Sequence, residues 1–331
     1  KKKENILHRA LLNKIQKICA QEGTGQPESS LLYYTNYYIE SKKETICYST
    51  YKRYKVFYNL LERFEGVTSK RLYVERIDSD FINELIVFGK EEEYSENTIY
   101  RTIHFVKTIL NFAERKGLST RVKEFEIRRE KQHKEMVTLT ESEINQIKST
   151  NVPEELRAAK DWLLISCYTG QRFSDFMCFS TEQLVKINGK VCVNFIQQKT
   201  GKEIFLPLHP IVLNIIQENG NSFPKPMSIQ HYNENIKQIA RLAGLNYFLK
   251  AKKRIGHRIK NLSIPKWESL TSHIGRRSFA TNFYGKIPTP LLMEATGHGT
   301  EQMFLRYINP VDKDRIMNLG NYFNKMYEEH L

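Results

Sequence analysis

The segment Thr271-Ser272-His273-Ile274-Gly275-Arg276-Arg277-Ser278-Phe279-Ala280-Thr281 decides how the rest of the chain is read. On a helix its i, i+3 interval puts His273 and Arg276 on one face. Alone, that pair is an ordinary solvated helix face, so its weight depends on what accompanies it. Three other segments supply company. Thr169-Gly170-Gln171-Arg172-Phe173-Ser174-Asp175 follows a helical pattern at 156–168, which Gly170 can end, leaving Arg172 near the start of the next helix. Gln198-Lys199-Thr200-Gly201-Lys202 lies between two short β runs, Val191–Ile196 and Glu203–Leu206, and reads as a hairpin loop turning at Thr200-Gly201. Thr296-Gly297-His298-Gly299 is followed, nine residues after His298, by Tyr307.

These side chains suit attack on a phosphodiester. Such a reaction needs cations around the phosphate, a nucleophile in line and an acid for the departing oxygen. A metal could serve, but the sequence has no HExxH, no DxD cluster and no Cys/His set, and Gly297-His298-Gly299 lacks the spacing and lysine of a phosphate loop. Basic side chains are therefore expected to act without metal or other cofactor. Taken singly, each has a plain alternative: Arg172 a helix-start charge, Lys199 a hairpin lysine, His298 a turn cap. Tyr307 is one of 18 tyrosines, with Tyr322 and Tyr327 as rival nucleophiles and Lys202 as the alternative to Lys199.

Outward from these motifs the chain falls into two lobes, as expected for 331 residues. Helical patterns recur at about 29–42, 48–64, 78–90 and 95–116, the last with a stripe of Ile99, Ile103, Val106, Ile109, Leu110 and Ala113 between Ser95 and Gly117. No β-rich stretch precedes residue 130. Residues 5–19 read as a further amphipathic helix. The expected organisation is an N-terminal helix or coupler at 1–28, a helical domain at 29–118, an extended basic linker at 119–138 and a mixed domain at 139–331 ending in a tail helix. Thr140 and Glu143 form a capping-box pattern at the start of the last, and beyond residue 210 the pattern is helical. The fold class is mainly α, with a small β-hairpin in the second domain.

Lys and Arg number 51 against 37 Asp and Glu, a net charge of +14. Residues 1–135 contribute 26 − 20 = +6 and the remainder 25 − 17 = +8. Two basic lobes joined by a basic linker suit a clamp on a polyanion, with nucleic acid ahead of a membrane. Lys52, Arg53, Lys55, Arg101 and Lys107 are the candidate phosphate contacts of the first lobe. No apolar run approaches a membrane span. The five cysteines include no CxxC pair and are read as packing residues in a reducing, cytosolic setting. The chain opens at Lys1 without an initiator Met, as expected of a piece of something longer.

With these residues in view, the chain resembles the tyrosine recombinase family, the phage-type integrases. The ordered set Arg172, Lys199, His273, Arg276, His298 and Tyr307 matches the family's signature, and TGxRxSD, KTGK, HxxRRSFAT and TGH-x8-Y match its phrases. The likeness is strong over about 139–327 and looser over 29–117, where it implies a helical, SAM-like core-binding domain beside the α+β catalytic domain. It implies that Tyr307 attacks a DNA phosphorus, forming a 3′-phosphotyrosine and releasing a 5′-hydroxyl. Arg172 and Arg276 would hold the non-bridging oxygens, Lys199 protonate the leaving oxygen, His273 assist proton transfer and His298 bond a phosphate oxygen. Asp175 would orient Arg172. The resemblance further implies double-stranded DNA core sites, a Holliday junction and a homo-tetramer docked through its C-terminal tail, with accessory DNA-bending proteins and no membrane. A mobile-element integrase at a bacterial nucleoid, its arm-binding domain removed, is the expected identity. A chromosome-dimer resolvase, an inversion recombinase, a relaxing topoisomerase and a non-catalytic DNA-binding regulator are the alternatives.

Overall fold

The computed structural model describes residues 28–127 and 136–308. The expected coupler before residue 28 and the tail helix with Tyr322 and Tyr327 lie outside them. Two compact units divide the chain, Lys1–Lys131 with Lys252–Lys260, and Gln132–Ala251 with Asn261–Leu331.

The first unit holds α1 (Leu31–Lys42), α2 (Tyr48–Thr68), α3 (Ser79–Glu91) and α4 (Glu96–Glu114). Ser30, Asp78 and Ser95 cap α1, α3 and α4 by accepting from first-turn backbone N–H groups, which would otherwise lack partners. The stripe expected on the last helix is buried, and it meets Phe57, Leu61, Phe64, Phe81, Leu85 and Phe88 in one core. Aromatic rings fill much of that core, Tyr54 stacking on Phe105 at 4.6 Å. Val122 and Phe125 also belong to it, with a turn of 3-10 helix over Val122–Glu124. The start of the stretch read as an extended linker is thus packed down, because its few apolar residues fall three apart and reach the same side.

In the second unit α6 (Glu154–Thr169) is the axis. Leu156, Ala159, Trp162, Leu163, Leu164, Ile165, Ser166, Cys167 and Thr169 are all buried along it. Around it pack α5 (Glu141–Ser149), α8 (Pro210–Glu218), α9 (Ile229–Leu242) and α11 (Ile274–Phe283), with the short α7 (Phe173–Phe176) directly after it. The capping box at Thr140 and Glu143 is formed. Glu143 also receives Lys266 Nζ at 2.6 and 2.7 Å and the Tyr247 hydroxyl at 3.0 Å. This buried ion pair fixes the first residue of α10 (Lys266–Ser269) to α5.

A three-stranded antiparallel sheet runs β1 (Leu184–Ile187), β2 (Lys190–Ile196), β3 (Glu203–Pro207), with Leu184 opposite Val193 and Phe195 opposite Ile204. The β2–β3 hairpin is the one expected. The extra strand β1 follows from Asn188-Gly189, whose positive φ values of 47° and 78° make the two-residue turn that joins paired strands. A second correction concerns the region after residue 210, read as helical throughout. It contains β4 (Phe248–Ile255) and β5 (Arg258–Pro265), a two-stranded ribbon. Its strands carry Lys250, Lys252, Lys253, Arg254, Arg258 and Lys260; β4 is largely exposed and β5 partly half-buried, with Ile264 buried near its end. With charged residues spread through both strands, the apolar alternation that announces a strand is missing. A third correction concerns the cysteines. Cys167 and Cys192 are buried, but Cys47 and Cys178 are exposed. Cys47 occupies the N-cap position of α2, beside Ser49 and Thr50 hydroxyls at 3.3 Å, in a polar turn rather than a core. Among the described residues no helix is long and apolar enough to cross a membrane.

Helix α11 lies against α6 at close range because Gly275 has no side chain. A Cβ there would sit 2.7 Å from the backbone carbonyl carbon of Ser166. Gly275→Ala is therefore expected to displace α11 from α6 and lower the unfolding free energy by about 1–3 kcal/mol, as overpacking does. Denaturant unfolding followed by circular dichroism measures the difference; an unchanged midpoint would show that this contact does not constrain α11.

Candidate active site

The end of α6 and the start of α11 bring the first two cations together. Gly170 closes α6 in the left-handed conformation, φ 66°. Two residues on, Arg172 is the N-cap of α7 and is largely buried. Its Nη1 donates to Gln197 Oε1 at 2.9 Å and lies 3.8 Å from Asp175 Oδ2. Asp175 Oδ1 accepts from the backbone N–H of Gln198 at 2.9 Å. Asp175 therefore links Arg172 to the hairpin loop.

Arg276 on α11 is 0% exposed. Its Nη1 donates to Gly170 O at 3.0 Å and its Nη2 to Thr296 O at 2.8 Å, while Nε is buried without a hydrogen-bond partner. No carboxylate is bonded to it. Burial, then the charge of Arg172, pushes its pKa down to about 10, which still leaves a cation at neutral pH.

His298 follows α12 (Thr289–Thr296), whose C-cap is Gly297. The Thr296 hydroxyl donates to Leu292 O at 2.6 Å, so its oxygen accepts from His298 Nδ1–H at 2.7 Å. That tautomer leaves an Nε2 lone pair for Arg276 Nη2–H at 3.1 Å. Burial, reinforced by Arg276, Arg172 and Lys202, lowers the His298 pKa to about 4. His298 is accordingly a neutral acceptor bracing Arg276.

Tyr307 lies in the turn after α13 (Glu301–Leu305). Its carbonyl accepts from the Thr281 hydroxyl at 3.2 Å, and its ring packs against a small core of Phe279, Ala280, Leu292, Phe304 and Ile308. Arg276 lies over that ring, 5.4 Å from its centroid, and the His298 ring centroid is 5.0 Å away. His273, at the N-cap of α11, is exposed at one edge. Partial desolvation and then the charges of Arg277, Arg276, Arg172 and Lys199 hold its pKa below the ordinary imidazole value. Lys199 is exposed on the hairpin loop and Lys202 closes that loop, Gln197 N–H donating to Lys202 O at 2.9 Å. The fold thus gathers Arg172, Arg276, His298 and Tyr307, with Asp175 behind them and with His273 and Lys199 at the exposed rim.

Three neutral residues of this network were not legible as site residues. Gln197, Gln171 and Thr296 are each 0% exposed and interlinked: Gln197 Nε2 donates to Gln171 Oε1 at 3.2 Å and to Thr296 O at 3.1 Å. One signal existed. Val193 and Phe195 point inward on β2, so the period of two sends Gln197 inward as well, a polar side chain at a core position.

The candidate phosphate contacts of the first unit divide. Lys52 stacks on Tyr48 at 4.5 Å and is exposed, as are Arg53 and Arg101. Lys55 instead bonds Asn36 at 3.2 Å and pairs with Glu40 at 3.5 Å, and Lys107 donates to Phe125 O at 3.3 Å. Among the described residues no group of three or more His, Cys, Asp or Glu side chains is placed to hold a metal ion.

Comparison with known proteins follows the same division. Residues 30–127 match the phage integrase SAM-like domain and residues 129–314 the phage integrase family. Sequence comparison with curated proteins found no match. Several solved structures share the fold. The Tn1549 transposon integrase, residues 82–397, bound to circular intermediate DNA, aligns with TM-score 0.60 at 15% identity, covering 87% of this chain and 98% of that one. The XerH site-specific recombinase on palindromic difH substrate, a post-cleavage complex, aligns with TM-score 0.59 at 15% identity, over 92% and 98%. A lambda integrase tetramer bound to a Holliday junction aligns with TM-score 0.57 at 17% identity, over 89% and 88%. Since the second family match alone spans more than half of the chain and contains all six signature residues, this protein belongs to the phage integrase family.

Proposed function

We propose that this protein is a site-specific DNA recombinase of a mobile genetic element, breaking and rejoining DNA through a 3′-phosphotyrosine. One observation carries the reading: two guanidinium groups are held at one site, Arg276 buried with no bonded carboxylate and Arg172 with only the distant Asp175 carboxylate at 3.8 Å, and a tyrosine ring lies against Arg276. Such an arrangement is costly for a free protein and suited to an anion. On this reading the unit around 29–118 grips the duplex, with Lys52, Arg53 and Arg101 on its phosphates, and 139–331 performs the chemistry.

Arg172 and Arg276 hold the non-bridging oxygens of the scissile phosphate. The Tyr307 phenol oxygen attacks phosphorus, its proton passing to His273. The bond from phosphorus to the 5′ oxygen breaks, and Lys199 supplies the proton that oxygen takes up. The phosphotyrosine conserves the energy of the diester, so attack by a different 5′-hydroxyl reseals the strand. Two such exchanges on paired duplexes pass through a Holliday junction, which calls for four protomers; the lambda integrase tetramer on a junction supports that assembly by its likeness. Work on DNA would place the protein at the nucleoid, with DNA-bending proteins as accessory partners.

Duplexes captured by the protein from a randomised library as covalent adducts provide a substrate for testing this reading. Tyr307→Phe should bind such a duplex within about threefold of the parent yet form no adduct on a denaturing gel. An adduct from that variant would exclude Tyr307 as the nucleophile. The pH response has a definite sign. A depressed His273 pKa keeps the imidazole neutral, and able to accept a proton, to lower pH than an ordinary histidine. As pH falls below neutral, kcat/KM for cleavage should therefore hold and then drop at a point below the usual imidazole range, since this parameter reports the free enzyme. His273→Gln should flatten that limb; a limb unmoved by the substitution would assign the titration elsewhere.

A further inference from the structure

We propose that Gln197 is a positioning residue that locks the Lys199 hairpin loop to Arg172, so that the acid and the phosphate clamp form one unit. The inference rests on the recombinase reading given above.

The Gln197 side chain is fully buried, and each of its hydrogen-bonding sites is used. Oε1 accepts from Arg172 Nη1 at 2.9 Å and from the Thr200 hydroxyl at 2.8 Å. Nε2 donates to Gln171 Oε1 at 3.2 Å and to Thr296 O at 3.1 Å. Two donors on one side and two acceptors on the other leave the amide a single orientation. Its backbone also frames the loop, donating to Lys202 O and accepting from Gly201 N–H, each at 2.9 Å. Between those anchors lies Lys199. Thr200, its neighbour, is thereby tied through one oxygen atom to the guanidinium of Arg172, and the Thr296 carbonyl at the other end of the amide is the one that holds Arg276. The fit is tight: a Cβ on Gly297 would come 2.5 Å from Gln197 Oε1. Asp175 makes a second, longer link, accepting from Gln198 N–H at 2.9 Å and pairing with Arg172 at 3.8 Å; Gln197 alone among the described residues hydrogen-bonds both Arg172 and the loop by its side chain.

The chemistry of the leaving group supplies the test. An alkoxide needs a proton to depart, whereas a thiolate, with a thiol pKa near ~8.5, does not. The captured duplex is synthesised with either oxygen or sulfur at the 5′ bridging position of the cleaved phosphate. Single-turnover cleavage and DNA affinity are measured for the parent, Lys199→Ala, Gln197→Met and Thr200→Val. Thr200 is exposed, so its variant tests the same link with no demand on the core. Gln197→Met is expected to cleave the oxygen duplex about 10²-fold more slowly, the scale of an ångström misplacement, with affinity within about threefold. Thr200→Val should lose several-fold. On the sulfur duplex both should recover toward the parent, as Lys199→Ala is expected to. Loss of equal size on both duplexes, or no loss on either, would overturn the link between Gln197 and Lys199. Failure of Lys199→Ala itself to recover on sulfur would instead remove the acid role of Lys199, and absence of any adduct from the parent would remove the recombinase reading.

Discussion

A buried guanidinium without a bonded carboxylate is the constraint on which the second unit depends. Arg276 is removed from water, and its donors are met by the carbonyls of Gly170 and Thr296 and the lone pair of His298. Neutral acceptors offset part of the desolvation cost and leave the charge uncancelled. A carboxylate in their place would stabilise the free protein and compete with an incoming phosphate. The protein instead holds a cation whose charge awaits an anion, and the surrounding structure is what prevents that cation from moving away.

Those acceptors dictate the backbone around them. Gly170 O is available because α6 ends there, and Thr296 O because α12 ends at Gly297. Two helix C-termini therefore point carbonyl oxygens at one arginine, the end of a helix that favours positive charge. Arg276 reaches them only if α11 lies close on α6, which Gly275 permits. The histidine is set by the same logic. Thr296 has already given its proton to Leu292 O, so it can only accept from His298, and the imidazole must present a lone pair to the arginine. One hydroxyl thus selects the tautomer, and the low pKa keeps it neutral.

What could be read in the sequence was what carries a local period or an ionisable group. The stripe on α4, the capping box at Thr140, the end of α6 at Gly170 and the β2–β3 hairpin all follow from residues near each other in the chain, and the six motif residues stood out as an ordered set through the family resemblance. The β4–β5 ribbon was hidden because its strands are rich in Lys and Arg and carry no regular apolar period. The second layer of the site was hidden because Gln171, Gln197 and Thr296 are neutral and are joined across 26 and 99 positions of chain, and Gln171 reaches Ala295 O at 2.7 Å across 124. Only the inward register of Gln197 on its strand pointed there. Lys55 and Lys107 show the converse: their charges were visible, but intramolecular acceptors that only the fold brings near now engage them.

The site separates two duties by burial. Arg276, His298 and most of Arg172 are sunk in fixed hydrogen bonds, whereas His273 and Lys199 stand at the rim. Charge stabilisation benefits from groups that need not reorganise when a phosphate gains negative charge. Proton transfer has the opposite need, since a donor or acceptor must exchange protons with solvent between turnovers and approach an oxygen whose position changes. An exposed lysine on a loop satisfies that need but is poorly placed by itself. The bonds from Gln197 and Asp175 to the base of the loop reconcile the two, giving the loop a fixed root in the rigid layer while leaving its charged tip in solvent.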